Sequence, residues 1–178
     1  MTSRCAPGQN RFGRQLSIAC TPATLNFVSG PLPSQVATLG AVIMHEMGHA
    51  LRPSWRTNHS FTSADRDATA RFEACIAADF QSSGSTPNRS VMTINEDFAD
   101  AVGYRAMIRY SRTISLANVR RSILLFAQTW CSASRPRHYP SSYTDPHAAN
   151  FLRDNATVKG ERSFYVAYGC PIQASYIC

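Results

Sequence analysis

The chain has 178 residues and a formal net charge of +7, a length that suits one compact domain with a real core. The surplus charge sits on arginines placed singly or in pairs, such as Arg120 and Arg121, with no run of five or more like charges; this excludes a basic nucleic-acid footprint and reads as a solvated surface. No stretch reaches the ~18 apolar residues of a membrane span, and residues 1–9 lack the apolar core of a signal peptide, as expected of a mature or excised piece of a longer precursor.

Residues 1–34 read as extended, with Leu16, Ile18, Leu25, Phe27 and Val28 set among Gly, Pro and Ser, and Pro31 and Pro33 close this section. A helix is expected next, with Ser34 as N-cap and an apolar stripe of Val36, Leu39, Ile43, Met47 and Leu51; Pro53 stops it. After a loop over 53–63, Ala64 to Phe80 reads as a second helix with Phe72, Cys75 and Ile76 on one side. Gln81 to Arg89 is loop-like, and a third helix starts near Thr93 with Phe98, Val102 and Met107 inward. Leu116, Val119, Ile123, Phe126 and Trp130 keep a steady period through a fourth helix from Ser115 to Cys131. A loop covers 132–144, Thr144 or Asp145 before Pro146 looks like a helix start, and a short helix from Glu161 to Tyr168 stops at Gly169. The expected architecture is one domain over 1–178: a helical body over 35–178 and a small extended layer over 1–34.

The first helix carries His45-Glu46-Met47-Gly48-His49. Two histidines four apart lie one turn from each other on one face, so both imidazoles can reach one zinc ion, and Glu46 between them is placed to act as general base. A catalytic zinc needs a third protein ligand and an open position. A third histidine ten residues after the first is ruled out, because that position is Trp55. The alternative is a carboxylate from Asn95-Glu96-Asp97-Phe98-Ala99-Asp100. Glu96 and Asp100 are four apart and share a face; one can bind zinc while the other accepts the N–H of a ligand histidine. Acids are scarce, 11 in all, yet three fall within this segment.

The six cysteines, Cys5, Cys20, Cys75, Cys131, Cys170 and Cys178, are dispersed and form no C-x-x-C pair. They read as three disulfides formed in an oxidising compartment. Three N-x-[ST] sequons, at Asn58, Asn88 and Asn155, agree with a secreted glycoprotein.

Taken together, these motifs resemble the neprilysin and endothelin-converting-enzyme peptidases, over about Asn10 to Cys178. Val42-Ile43 before the histidine motif is similar to that family's V-I-G-H-E-x-x-H, with Met44 in place of the glycine. The acidic segment is similar to its G-E-N-x-A-D. Trp130-Cys131 followed by Arg135-Pro136 matches W-C-x-x-x-R-P, and Asp145-Pro146-His147 with Arg153 matches D-x-H…R. Phe164 to Cys170 is similar to the family's F-x-x-A-F-x-C, and Pro22-Ala23-x-Leu25 to its P-A-G-I-L. Arg52 departs from the pattern, standing where the family usually has an acid.

The resemblance implies roles. His147 donates to the developing oxyanion, and Arg153 binds a substrate carbonyl. Asn10 and Arg11 hold substrate backbone, and Val42 and Trp130 line the pocket for the residue after the cut. It also implies a disulfide between Cys75 and Cys178, with Cys131 and Cys170 joined to Cys5 and Cys20; of the two ways to do this, Cys5–Cys170 with Cys20–Cys131 is favoured.

The fold expected is α+β, a thermolysin-like zincin catalytic domain, mostly helical with a small N-terminal β layer. The expected metal set is one zinc per chain on His45, His49 and Glu96, with Asp97 or Asp100 the next candidates. The expected activity is zinc-dependent hydrolysis of peptides or unfolded proteins on the amino side of hydrophobic residues, catalysed by Glu46 and His147 with Asp100 in support. The longer relatives cover this cleft with a helical lobe; here an open cleft is expected. The alternative is a catalytically impaired zinc-binding fragment or interaction module.

Overall fold

The computed structural model describes residues 30–52, 61–130, 145–172 and 178, together with the backbone at 8–9 and 15–16. Gly8–Gln9 (β1) and Gln15–Leu16 (β2) form one antiparallel pair, with Gly8 opposite Leu16. This pair is all the β structure among the described residues; a layer extending through Ile18, Leu25, Phe27 and Val28 lies outside them. Everything else of regular structure is helical.

The first helical run starts earlier than expected. Its N-cap is Pro31, and α1 spans Leu32–Gln35 with Pro33 inside the first turn, where a missing N–H costs nothing. A π-helical segment, Val36–Gly40, follows and leads into α2, Ala41–Leu51. In that segment the Thr38 hydroxyl donates back to the carbonyl of Ser34 at 2.9 Å, a competition with the backbone ladder that tends to bend helices. The buried face of this run is Ala37, Thr38, Ala41, His45 and Gly48. The expected apolar stripe is not that face, since Met47 and Leu51 are about half exposed at 49% and 54%. At the end of α2, Arg52 ion-pairs with Glu73 of the next helix.

That helix, α3, spans Ser63–Ser82 and opens with a reciprocal cap between Thr62 and Asp65. The central helix α4 runs from Pro87 to Arg112. It begins before the expected Thr93, because Thr86 accepts the Arg89 N–H and Pro87 occupies the first turn. The next helix, α5 (Leu116–Thr129), is capped by Ser115; Val119, Ile123 and Phe126 of its predicted stripe are buried, whereas Leu116 is 48% exposed. Asp145-Pro146 is not a helix start. The Asp145 carboxylate folds back onto the His147 N–H at 2.9 Å, and α6 begins only at Asn150, running to Lys159. The last helix, α7, is Arg162–Tyr168; Glu161 caps its start, and Gly169 ends it at φ 67°, a left-handed conformation that favours glycine.

The long central helix has a core on each side. One unites Ala37, Ala41, Tyr104, Met107, Val119, Ile123, Phe126 and Ala167; the other unites Ile76, Phe80, Phe98, Ala101, Leu152 and Ala156. Cys75 and Cys178 are joined by a disulfide across 103 residues. Cys170 is an exposed free thiol, so the Cys5–Cys170 pairing is not formed; the Cys20–Cys131 pairing lies outside the described residues.

Candidate metal centre

Helices α2 and α4 lie unusually close, and two glycines make this possible. A Cβ on Gly103 would sit 2.6 Å from the Ala41 carbonyl oxygen and 3.0 Å from the His45 nitrogen. A Cβ on Gly48 would meet the Ala99 Cα at 3.0 Å. No side chain fits at Gly103, and one at Gly48 would push the two backbones apart by a few tenths of an ångström. The backbones therefore pack directly, and the histidines of α2 face the carboxylates of α4.

His45 Nε2 lies 3.2 Å and His49 Nε2 3.4 Å from the same atom, Glu96 Oε2. The three donor atoms all lie within 4.8 Å of one another. Two donors each ~2.0–2.1 Å from one tetrahedral zinc stand roughly 3.3 Å apart, so the observed spacings fit such an ion. The donor set is two imidazoles and one carboxylate, which leaves a fourth position open.

Behind the donors is a buried charge network. His45 Nδ1 hydrogen-bonds Asp100 Oδ1 at 2.8 Å. Arg153 donates to the same carboxylate through both Nε and Nη2, each at 2.7 Å, and its guanidinium stacks 3.6 Å over the Trp130 ring. Asp100 and Arg153 are both buried, at 1% and 5% exposure. Burial pushes Asp100 up, but the hydrogen bonds from Arg153 and His45 outweigh it and hold the carboxylate below its ordinary range. Burial likewise raises Glu96, while hydrogen bonds from His45 and His49 and the charge of His147 hold it well below. For His45 burial lowers the pKa, but hydrogen bonds to Asp100 and Glu96 prevail and raise it to about 9. A proton and a metal therefore compete for the His45 Nε2.

His147 completes the cluster from the loop before α6. Its Nε2 lies 3.1 Å from Glu96 Oε2, and its Nδ1 lies 2.8 Å from Asp145 Oδ1. Glu46 is half-buried on α2. Val42, four residues before it on the same stripe, is half-buried too, as is Trp130, whose ring centroid stands 6.3 Å from that of His45. Of the residues singled out from sequence, Asn10 and Arg11 lie outside the described residues. Of the others, His45, His49, Glu96, Asp100, His147, Arg153 and Trp130 are joined by the contacts above, and Val42 and Glu46 lie on α2 with the histidines.

Two residues stand differently from their reading in the sequence: Asp97, a fallback metal candidate there, is not among the three converging donors, and Arg89 carried no signal at all. Asp97 is wholly buried, with Oδ2 accepting the Thr93 hydroxyl at 2.7 Å. Burial raises its pKa to about 8 despite that bond, helped by the Asp100 charge. Asp97 stands where the resembled motif has asparagine, and the raised pKa favours the protonated form, which is asparagine-like. The other is Arg89, whose guanidinium reaches the His147 loop; in sequence it is one more scattered arginine.

The model of peptidase family M13 matches residues 29–177 of the chain. No curated protein matches the chain, and neither does any solved structure.

Proposed function

Since the chain belongs to peptidase family M13, the zinc-dependent peptidases that include neprilysin and the endothelin-converting enzymes, and covers their catalytic portion, we propose that it is a zinc endopeptidase with Glu46 as its general base. The observation that carries this reading is the convergence of His45 Nε2, His49 Nε2 and Glu96 Oε2 within 4.8 Å, with Asp100 behind His45.

In this reading one zinc per chain is held by His45, His49 and Glu96. When bound, zinc supplies a Lewis acid that polarises the scissile carbonyl and acidifies water. Asp100 accepts the His45 Nδ1–H and so presents Nε2 as the ligand atom. Glu46 removes the proton of the attacking water and delivers it to the departing amine. His147, its Nδ1 side held by Asp145, donates from Nε2 to the carbonyl oxygen as charge develops there. Arg153 spends two donors on Asp100 and offers the remainder to a substrate carbonyl. Val42 and Trp130 form the apolar wall for the residue after the cut, which directs cleavage to the amino side of hydrophobic residues. Asn10 and Arg11 serve the substrate backbone.

The proposal takes residues 1–178 as one catalytic domain acting outside the cytoplasm. The Cys75–Cys178 disulfide and the exposed sequon residues Asn88 and Asn155 support an oxidising, glycosylating compartment. No helix among the described residues is long and apolar enough to cross a membrane.

A peptide-library digest with and without a chelator tests the reading. Cleavage before hydrophobic residues, abolished by the chelator and restored by zinc, is the expected result; full zinc content with no peptide cut would instead establish an interaction module. An open cleft further predicts slow cleavage of unfolded casein-like proteins with weak discrimination by length, and cleavage of short peptides alone would refute it.

A further inference from the structure

We propose that Arg89 is a positioning residue that sets the place of His147. The inference rests on the reading of His147 as the oxyanion donor, and goes beyond it to what holds that donor.

Arg89 belongs to the first turn of α4. Its own backbone is fixed from both directions: its N–H donates to the Thr86 hydroxyl at 3.3 Å, and its carbonyl accepts the Thr93 hydroxyl at 3.0 Å. From this anchored point the side chain crosses to a segment more than fifty residues away in sequence. One nitrogen, Nη2, donates to the carbonyls of both Asp145 and His147, each at 2.9 Å. Two carbonyls two residues apart converge on that nitrogen only if the backbone between them turns around it. The inner side of the same turn is closed by Asp145, whose Oδ1 accepts the His147 N–H at 2.9 Å and meets Nδ1 at 2.8 Å. Arg89 thus fixes the backbone of the turn and Asp145 the ring, and Nε2 is left aimed at Glu96 Oε2, 3.1 Å away.

Arg89 and Glu96 share α4, seven residues and about two turns apart, so they lie on one face. One rigid helix therefore sets both the carboxylate ligand and, through the Arg89 fork, the imidazole that faces it. A guanidinium suits the task because it stays charged at every working pH and its Nη2 carries two N–H groups in fixed directions. Lysine keeps the charge without the fork.

The test compares wild type with Arg89→Gln, Arg89→Lys, His147→Gln and the Arg89→Gln/His147→Gln double variant. Steady-state kinetics on a fluorogenic peptide is read beside amide hydrogen exchange of the zinc-free proteins. Arg89→Gln should lower kcat about 10- to 100-fold, the scale of a misplaced catalytic group, with KM within about twofold and zinc content unchanged. Arg89→Lys should recover part of the loss. The double variant should be no slower than His147→Gln alone, since the two changes remove one function. The His147 amide should exchange at least about tenfold faster in Arg89→Gln, while amides in the middle of α4 keep their protection. Unchanged exchange at His147 overturns the proposal whatever the activity, and so does a double variant whose losses multiply. If His147→Gln is as active as wild type but the exchange result holds, Arg89 still positions the loop, and the assigned role of His147 is what fails.

Discussion

Asp100 has no exposed surface to speak of, yet it stays ionised because His45 and Arg153 supply three short charge-assisted contacts. Replacing it by asparagine keeps the shape and removes the charge that orients His45. Asp100→Asn should weaken zinc binding ~10–100-fold, measured by competition with a chelating dye; an unchanged affinity would mean the network is structural only. Glu46→Gln should retain zinc and lose peptidase activity by several orders of magnitude, since glutamine cannot accept a proton; activity within about tenfold of wild type, roughly 1.4 kcal/mol in barrier, would remove Glu46 as the base. A third residue, Asp79, makes a pH statement away from the metal. Burial raises its pKa to about 6 from 3.8, against the pull of Lys159 and Arg105. A raised folded-state pKa means full stability below the unfolded value and loss as pH climbs through about 6. Asp79→Asn should therefore stabilise the fold at pH 7.5 by on the order of 2–3 kcal/mol, seen as a higher Tm, and give no gain at pH 4; equal shifts at both would show that Asp79 carries no buried-charge cost. At this scale the sequence is legible where geometry is local. His45 and His49 follow from a four-residue spacing alone. Which of Glu96 and Asp100 faces the imidazole Nε2 atoms does not, because both lie on one face and only the approach of α2 separates them.

Helices α2 and α4 meet through Gly48, Ala99, Gly103 and Ala41 rather than through large side chains. Reading apolar periodicity alone selects Met47 and Leu51 for the interior and so picks the wrong face, because a close backbone contact is written in small residues that carry little hydrophobic signal. The surrounding elements, whose cores are large side chains, were easier: Val119, Ile123 and Phe126 of α5 are buried as their spacing indicates. The helix start at Pro87 was hidden by a Ser-, Pro- and Asn-rich stretch that reads as loop, although Thr86 and Pro87 together make a good cap. A methyl group at position 103 has nowhere to go, since its nearest neighbour is backbone. Gly103→Ala should cost about 1–3 kcal/mol and lower zinc affinity as well, because the shift it forces moves His45 away from Glu96. Calorimetry and metal titration on the same variant check both, and a Tm within about a degree of wild type would show that the helices can slide apart freely.

Across the whole molecule, charge and chain length say little about where substrate binds, and the helical body was legible from its periodicities and caps. What no periodicity could supply is how distant parts are tied together. The Cys75–Cys178 bridge closes the chain into a ring. Glu96, Asp100, His147 and Arg153 all lie within that ring, whereas His45, Glu46 and His49 lie on the arm that precedes it. In the unfolded chain this bridge limits the spread of one half of the site only, worth ~2–4 kcal/mol. The three candidate metal donors converge where the two halves meet. If, as proposed, His45 and His49 on the arm and Glu96 on the ring hold one zinc, that ion would act as a second clasp, formed only when the arm is docked. A chelator should then lower Tm by several degrees through the lost binding energy, with hydrogen exchange rising in α2 before α4; equal loosening of both helices would count against the clasp. Catalytic metal and structural fastener would then be the same ion, so that an arm which lets go surrenders the base, two ligands and the cleft wall in a single event.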